Sequence, residues 1–188
     1  MQLDSASGWC RGINHCPSPN FNARPAGEIS LLVIHNISLP PACFKTGHVQ
    51  ALFQNRLDPG AHPYFEGIAE LRVSAHFLIE RDGEVSQFVS CLERAWHAGV
   101  SSFEGREGCN DFSIGIELEG TDDQPFTDLQ YTALVELTRQ LRQAWPGITV
   151  ERICGHSDIA PQRKTDPGPC FDWERFRQAV QQVCGGNE

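Results

Sequence analysis

Hydrophobic residues recur with two different periods along this chain, and the change from one to the other separates strands from helices. Glu28 to Asn36 is nearly continuous in apolar residues and rich in β-branched ones, which predicts a central strand buried on both faces with His35 emerging at its end. Arg72 to Glu80 alternates, with Val73, Ala75, Phe77 and Ile79 on one side and Arg72, Ser74, His76 and Glu80 on the other. Arg81-Asp82-Gly83 reads as a turn, and Glu84 to Ser90 as the returning arm of a hairpin. Phe112 to Glu119 alternates again: Phe112, Ile114, Ile116 and Leu118 share one face, Ser113, Gly115, Glu117 and Glu119 the other. A further strand is expected over Ile148 to Ile153.

The period then lengthens. Thr127 and Gln130 form a T-x-x-Q capping box ahead of a stripe of Leu134, Leu137, Leu141 and Trp145, a helix that Pro146-Gly147 stops. A last helix starts near Asp172, carries Trp173, Phe176, Val180 and Val183 at 3-4-3 spacing, and ends before Gly185-Gly186. Ala42 to Arg56 predicts a shorter helix, and the stretches 57–70 and 97–111 read as long loops, where ligand contacts tend to lie. Strands interleaved with helices predict an α/β fold: a single domain over 1–188, core about 25–184, with a central mixed β-sheet flanked by helices.

Composition narrows the partners. The formal net charge of -9 and the lack of a basic patch argue against nucleic acid and against an anionic membrane surface. The first eight residues show neither a basic nor an apolar export region, and no run approaches the ~18 apolar residues of a membrane span, so a cytoplasmic location is expected. Eight cysteines with no C-x-x-C pair favour reduced thiols, with Cys91, Cys109 and Cys154 packing as small apolar residues.

The candidate chemistry lies at strand ends. His35 and His156 are 121 positions apart, yet both fall where predicted strands finish, so one edge of a sheet could bring them into a single crevice. Asp166 follows His156 by ten positions of Pro-punctuated loop. Each residue also has an ordinary reading: His35 as a buried strand-end histidine, Asp166 as a turn former before Pro167-Gly168, Lys164 as a solvated lysine. Together, two imidazoles and one carboxylate make a set that zinc accepts, with a fourth position left open as hydrolysis requires. Glu117 and Glu119 both stand on the polar face of their strand as possible general bases. No H-E-x-x-H helix motif is present.

Five blocks carry a resemblance. Leu32 to Asn36 (LVIHN), Ser74 to Ile79 (SAHFLI), Ala95 to Gly99 (AWHAG), Asn110 to Gly120 (NDFSIGIELEG) and Gly155 to Gly168, in that order, resemble the zinc-dependent N-acetylmuramoyl-L-alanine amidases. The wider family also takes in peptidoglycan recognition proteins, and the likeness is greatest to the branch that acts on 1,6-anhydro-muropeptides in cell-wall recycling. The resemblance implies one zinc ion per chain on His35, His156 and Asp166, with Glu117 as general base in preference to Glu119 and Lys164 stabilising the oxyanion. It further implies Asn36, Arg72, Trp96 and Arg106 as substrate contacts, and hydrolysis of the amide between the lactyl group of the muramic acid and L-Ala of the stem peptide. The implied partner is a small muropeptide, with no obligate protein partner.

Overall fold

The computed structural model describes residues 1–25 and 28–184. A six-stranded mixed sheet organises the chain: β1 (Asn14–His15), β2 (Leu31–Ile37), β3 (Phe77–Ile79), β4 (Val85–Gln87), β5 (Ser113–Glu119) and β6 (Ile153–Gly155), in the order β6-β2-β5-β3-β4-β1. Strands β6, β2, β5 and β3 run parallel, and β4 returns antiparallel beside β3. Four helices accompany it among the described residues: α1 (His48–Phe53), α2 (Asp128–Ala144), the single turn α3 (His156–Ile159) and α4 (Trp173–Cys184). The fold is thus an α/β domain with a mixed central sheet and flanking helices, as the alternating periods predict.

Strand alternation divides the interior into two layers. Leu32, Ile34, Ile114, Ile116, Leu118, Phe77 and Ile79 point to one side and pack with Leu134, Leu137 and Leu141 of α2 and Phe176 and Val180 of α4. β2 and β5 are buried from their first residue, as is usual for strands of a parallel sheet covered on both faces. On the opposite side Leu78 joins Leu52, Phe53, Phe65 and Phe88 around α1, while Leu31 and Val33 meet Phe112, Cys154 and Ile159. In-register residues of parallel neighbours share a face, so the pairing of Glu117 with His35 sets both side chains on this second side.

Several boundaries differ from the sequence expectation, each for a tertiary reason. β2 begins at Leu31 rather than Glu28, which is exposed. Only Phe77–Ile79 of the alternating stretch 72–80 is regular strand. Most of its polar side is buried although Arg72 is exposed: Ser74 donates to the Asn20 carbonyl, and the His76 ring accepts the Gly115 N–H, a side chain standing where a backbone acceptor would continue the ladder. The expected strand 148–153 is a 3-10 turn over Val150–Arg152 followed by β6, which starts where the expectation stopped. The shorter helix contracts to His48–Phe53 because Lys45 and Gly47 take left-handed backbone angles ahead of it. Stretches 57–70 and 97–111 contain 3-10 turns and, in the latter, a two-residue hairpin, Ser102–Phe103 with Arg106–Glu107.

The helix ends follow the sequence closely. Thr127 accepts from the Gln130 amide at 3.1 Å while the Gln130 side chain takes the Thr127 N–H at 3.1 Å, closing the capping box, and Trp145 stands at the C-cap before Pro146. Asp172 accepts from the Arg175 amide at the start of α4. The Val183 side chain and the Gly185-Gly186 stop lie outside the described residues. Cys91 packs in the layer under α2 and α4, and Cys109 and Cys154 in the one under β2. Thr127→Ala removes both the cap and a bond from the Thr127 hydroxyl to the Arg81 carbonyl; we expect a loss of about 1–2 kcal/mol in urea unfolding, with Thr127→Ser retaining most of it.

Candidate metal centre

The parallel strands deliver their carboxyl ends to one rim of the sheet, where open α/β sheets place ligands. His35 lies near the end of β2, Glu117 near the end of β5, and His156 directly after β6 as the first residue of α3. Asp166 reaches the same point from the loop beyond α3, whose Asp166 carbonyl accepts the Ser157 N–H at 3.0 Å. Gly155 permits this return: a Cβ there would stand 2.7 Å from the Pro167 ring. Asn36 secures the loop from the other side, its amide donating to the Asp122 carboxylate at 2.7 Å and the Pro167 carbonyl at 3.0 Å.

Three atoms converge. His35 Nδ1 lies 3.0 Å from His156 Nδ1 and 3.0 Å from Asp166 Oδ2, and the third edge, His156 Nδ1 to Asp166 Oδ2, is 3.1 Å. A tetrahedral ion with bonds of about 2.0–2.1 Å separates its ligand atoms by about 3.3 Å, so this triangle matches one face of such a coordination sphere. The outer nitrogens complete the case. His156 Nε2 faces the Ala98 carbonyl at 3.1 Å, which can only accept, so the ring proton sits on Nε2 and Nδ1 presents its lone pair. His35 Nε2 is 2.9 Å from His97 Nδ1, and His97 Nε2 is 3.1 Å from the Ser113 hydroxyl. With protons on the outer nitrogens, two lone pairs and a carboxylate oppose one another, an arrangement that calls for a cation between them.

The electrostatics agree. Burial holds the His35 imidazole down at about 4, against a smaller upward pull from Asp166, so it is neutral and able to ligate near pH 7. Burial raises the Asp166 carboxyl, but the hydrogen bonds and charge that His156 and His35 supply when protonated outweigh it and hold the group well below the usual carboxylate range; with neutral imidazoles a cation between the three would take that part. Glu117 goes the other way: burial, reinforced by the Asp166 charge and opposed by Lys164, raises its carboxyl well above the ordinary value. Among the described residues its Oε2 has no hydrogen-bond partner. Glu119, on the same strand face, has both oxygens engaged by the backbone amides of Lys45 and Arg81, which separates the two carboxylates by structure.

Around these groups opens a cleft of about 650 Å³ that combines a polar end (Asn36, Asp122, Lys164, Thr165) with an apolar wall that includes Leu39, Ile68, Leu71 and Trp96. Of the expected substrate contacts, Asn36 and Trp96 line it. Arg72 and Arg106 are not among the lining residues: Arg72 is 3.3 Å from Glu70, and Arg106 lies over the Phe112 ring at 3.9 Å. His97, Ala98 and Asp122 take part in contacts that single-residue reasoning left unassigned. The Ala95 to Gly99 block is the only sequence signal for His97 and Ala98, and Asp122 lies outside every block.

A mixed sheet that gathers two histidines, an aspartate and a raised glutamate at its carboxyl edge defines a hydrolase of the amidase class, and the comparisons agree. Residues 25–169 match the family model described as N-acetylmuramoyl-L-alanine amidase, and the chain belongs to that family as an amidase. It is 58% identical to the 1,6-anhydro-N-acetylmuramyl-L-alanine amidase AmpD of Haemophilus influenzae, over 91% of this chain and 92% of that protein. The crystal structure of a selenomethionine AmpD derivative superposes with a TM-score of 0.92 at 57% identity, over 96% and 99% of the two chains. The amidase AmiD from Escherichia coli, solved with anhydro-N-acetylmuramic acid-L-Ala-D-γ-Glu-L-Lys, superposes at 0.60 with 30% identity, over 87% and 66%.

The buried imidazoles make acid stability a readout of this centre. His35 at about 4 and His76 at about 3 lie below the ordinary histidine value of 6.5, both chiefly through burial. The unfolded chain therefore binds protons first as pH falls. Metal-free protein should hold its full stability above pH 6.5 and lose it as the pH drops toward 4, by up to about 1.4 kcal/mol per pH unit for each group, measured by urea unfolding at a series of pH values. A flat profile between pH 7 and 5 would show the imidazoles taking up protons in the fold as readily as in the unfolded chain.

Proposed function

We propose that the chain hydrolyses the amide between the lactyl group of 1,6-anhydro-N-acetylmuramic acid and L-Ala of a stem peptide, as a zinc enzyme of cytoplasmic cell-wall recycling. The observation that carries this reading is the His35, His156 and Asp166 triangle beside the unpaired Glu117 carboxyl, within one cleft. The names of its relatives support the substrate, and the fit of the triangle to a tetrahedral ion supports zinc. Held by these three residues, zinc supplies Lewis-acid polarisation of the scissile carbonyl and activation of water.

The chain's own groups supply the rest. Glu117 takes a proton from the attacking water and returns it to the departing amine of L-Ala, without which amide nitrogen is a poor leaving group. Burial and the Asp166 charge raise its carboxyl, which favours the protonated form that must hand its proton to the nitrogen. Lys164, on the cleft rim, offers its ammonium to the negative charge that develops on the carbonyl oxygen. Trp96 forms an apolar wall for the sugar ring, and Asn36 keeps only its side-chain oxygen for substrate because both described donor contacts are spent on Asp122 and Pro167. The membrane plays no part in this reading; no described helix is long and apolar enough to cross one.

Liquid chromatography of anhydromuramyl-tripeptide digests tests the assignment, with intact sacculi as the competing substrate. Cleavage should release the free peptide from the small substrate, stop with a zinc chelator and return with added zinc; equal activity on sacculi would reassign the protein to wall lysis. Glu117→Gln should lower kcat by about 10²–10⁴-fold. Lys164→Met should cost about 10²–10³-fold, chiefly in kcat, and a change confined to KM would remove Lys164 from oxyanion stabilisation.

A further inference from the structure

We propose that Asn110, which touches neither the cleft nor the three ligating atoms, is a positioning residue that sets the orientation of both imidazole ligands through the His97-Ala98 segment. The inference rests on the metal-centre reading above and concerns the residues behind it. Residues 96–99 form no strand, so their backbone donors need partners outside any ladder. One atom meets that need twice: Asn110 Oδ1 accepts from the His97 N–H at 3.1 Å and from the Ala98 N–H at 2.8 Å.

The same two residues hold the outer nitrogens of the two ligands. His97 presents Nδ1 to His35 Nε2 at 2.9 Å, and the Ala98 carbonyl accepts from His156 Nε2 at 3.1 Å. A shift of this segment would therefore turn both imidazoles at once, and outer contacts of this kind fix which nitrogen faces the metal and in which direction. Asn110 is buried and is itself fastened, since the half-buried Arg24 guanidinium donates to the Asn110 carbonyl at 3.0 Å and to the Asp111 carbonyl at 3.0 Å. Arg163 adds a hold on the Ala98 carbonyl at 2.7 Å. The seat is tight on the sheet side also. A Cβ on Gly115 would come within 2.5 Å of the His97 ring, so the glycine lets that ring lie against β5.

Zinc affinity tests this apart from catalysis. The full chain, stripped with chelator, is titrated with zinc against a chromophoric competitor, and metal-free thermal unfolding is recorded in parallel. Asn110→Leu, which keeps the volume and removes the acceptor, should weaken zinc binding about 10–100-fold while the protein remains folded at the titration temperature. Asn110→Asp, which keeps an acceptor for both N–H groups, should bind nearly as the unmodified chain does. His97→Phe should weaken binding in the same range. If Asn110→Leu does not fold, Asn110→Ser takes its place, its hydroxyl being too short to reach both amides. Unchanged affinity in the folded Leu or Ser variant, or equal losses in the Asp and Leu variants, overturns the role of Asn110 alone. Failure of the unmodified chain to bind zinc overturns the metal reading together with it.

Discussion

Two imidazole nitrogens and a carboxylate oxygen crowded within 3.0–3.1 Å of one another form the constraint around which this fold is arranged. Such a cluster of acceptors is unfavourable by itself. It persists because each imidazole is committed through its outer nitrogen, because Asp166 is tied back through its carbonyl and through Asn36, and because the whole lies at the edge of a sheet too well packed to relax. A divalent cation would convert that mutual repulsion into binding energy, the scaffold having prepared the site before the ion arrives.

The same layout separates two kinds of carboxylate in a small volume. The Asp166 carboxyl is held below the usual carboxylate range beside the two histidines, and Glu117 is pushed toward its neutral form by burial and by Asp166 itself. One suits a ligand and the other suits proton transfer, a division that environment makes between chemically similar groups. Glu119 lies only two positions from Glu117 on the same strand face, yet its oxygens serve backbone amides and hold the segments at Lys45 and Arg81.

Much of this was legible in the linear pattern. The periodic segments located the two long inner strands and both long helices, since burial on one stripe or on alternate positions is a local property that tertiary packing reinforces. The placement of the capping box at Thr127 and Gln130 needed no three-dimensional information, because both partners lie within one turn. Short elements were less legible. β3 and β6 are three residues each, and which three is decided by their neighbours: the His76 ring takes the Gly115 N–H just ahead of β3, and residues 150–152 coil into a turn before β6 pairs with β2.

Sequence by itself determined the α/β class, the polar face carrying Glu117, and, through ordered motif blocks, the family and the residues His35, His156 and Asp166. Only the tertiary structure decided that these three meet, because their separations of up to 131 positions are closed by parallel register and a loop packed on Gly155, neither of which any local pattern encodes. It also decided which glutamate keeps an unpaired oxygen, that Arg72 and Arg106 do not line the cleft, and that Asn110, the first residue of a motif block, bonds the segment behind both histidines. Contacts of this kind depend on where separate segments come to lie in space, and a side chain's type and spacing carry no record of that.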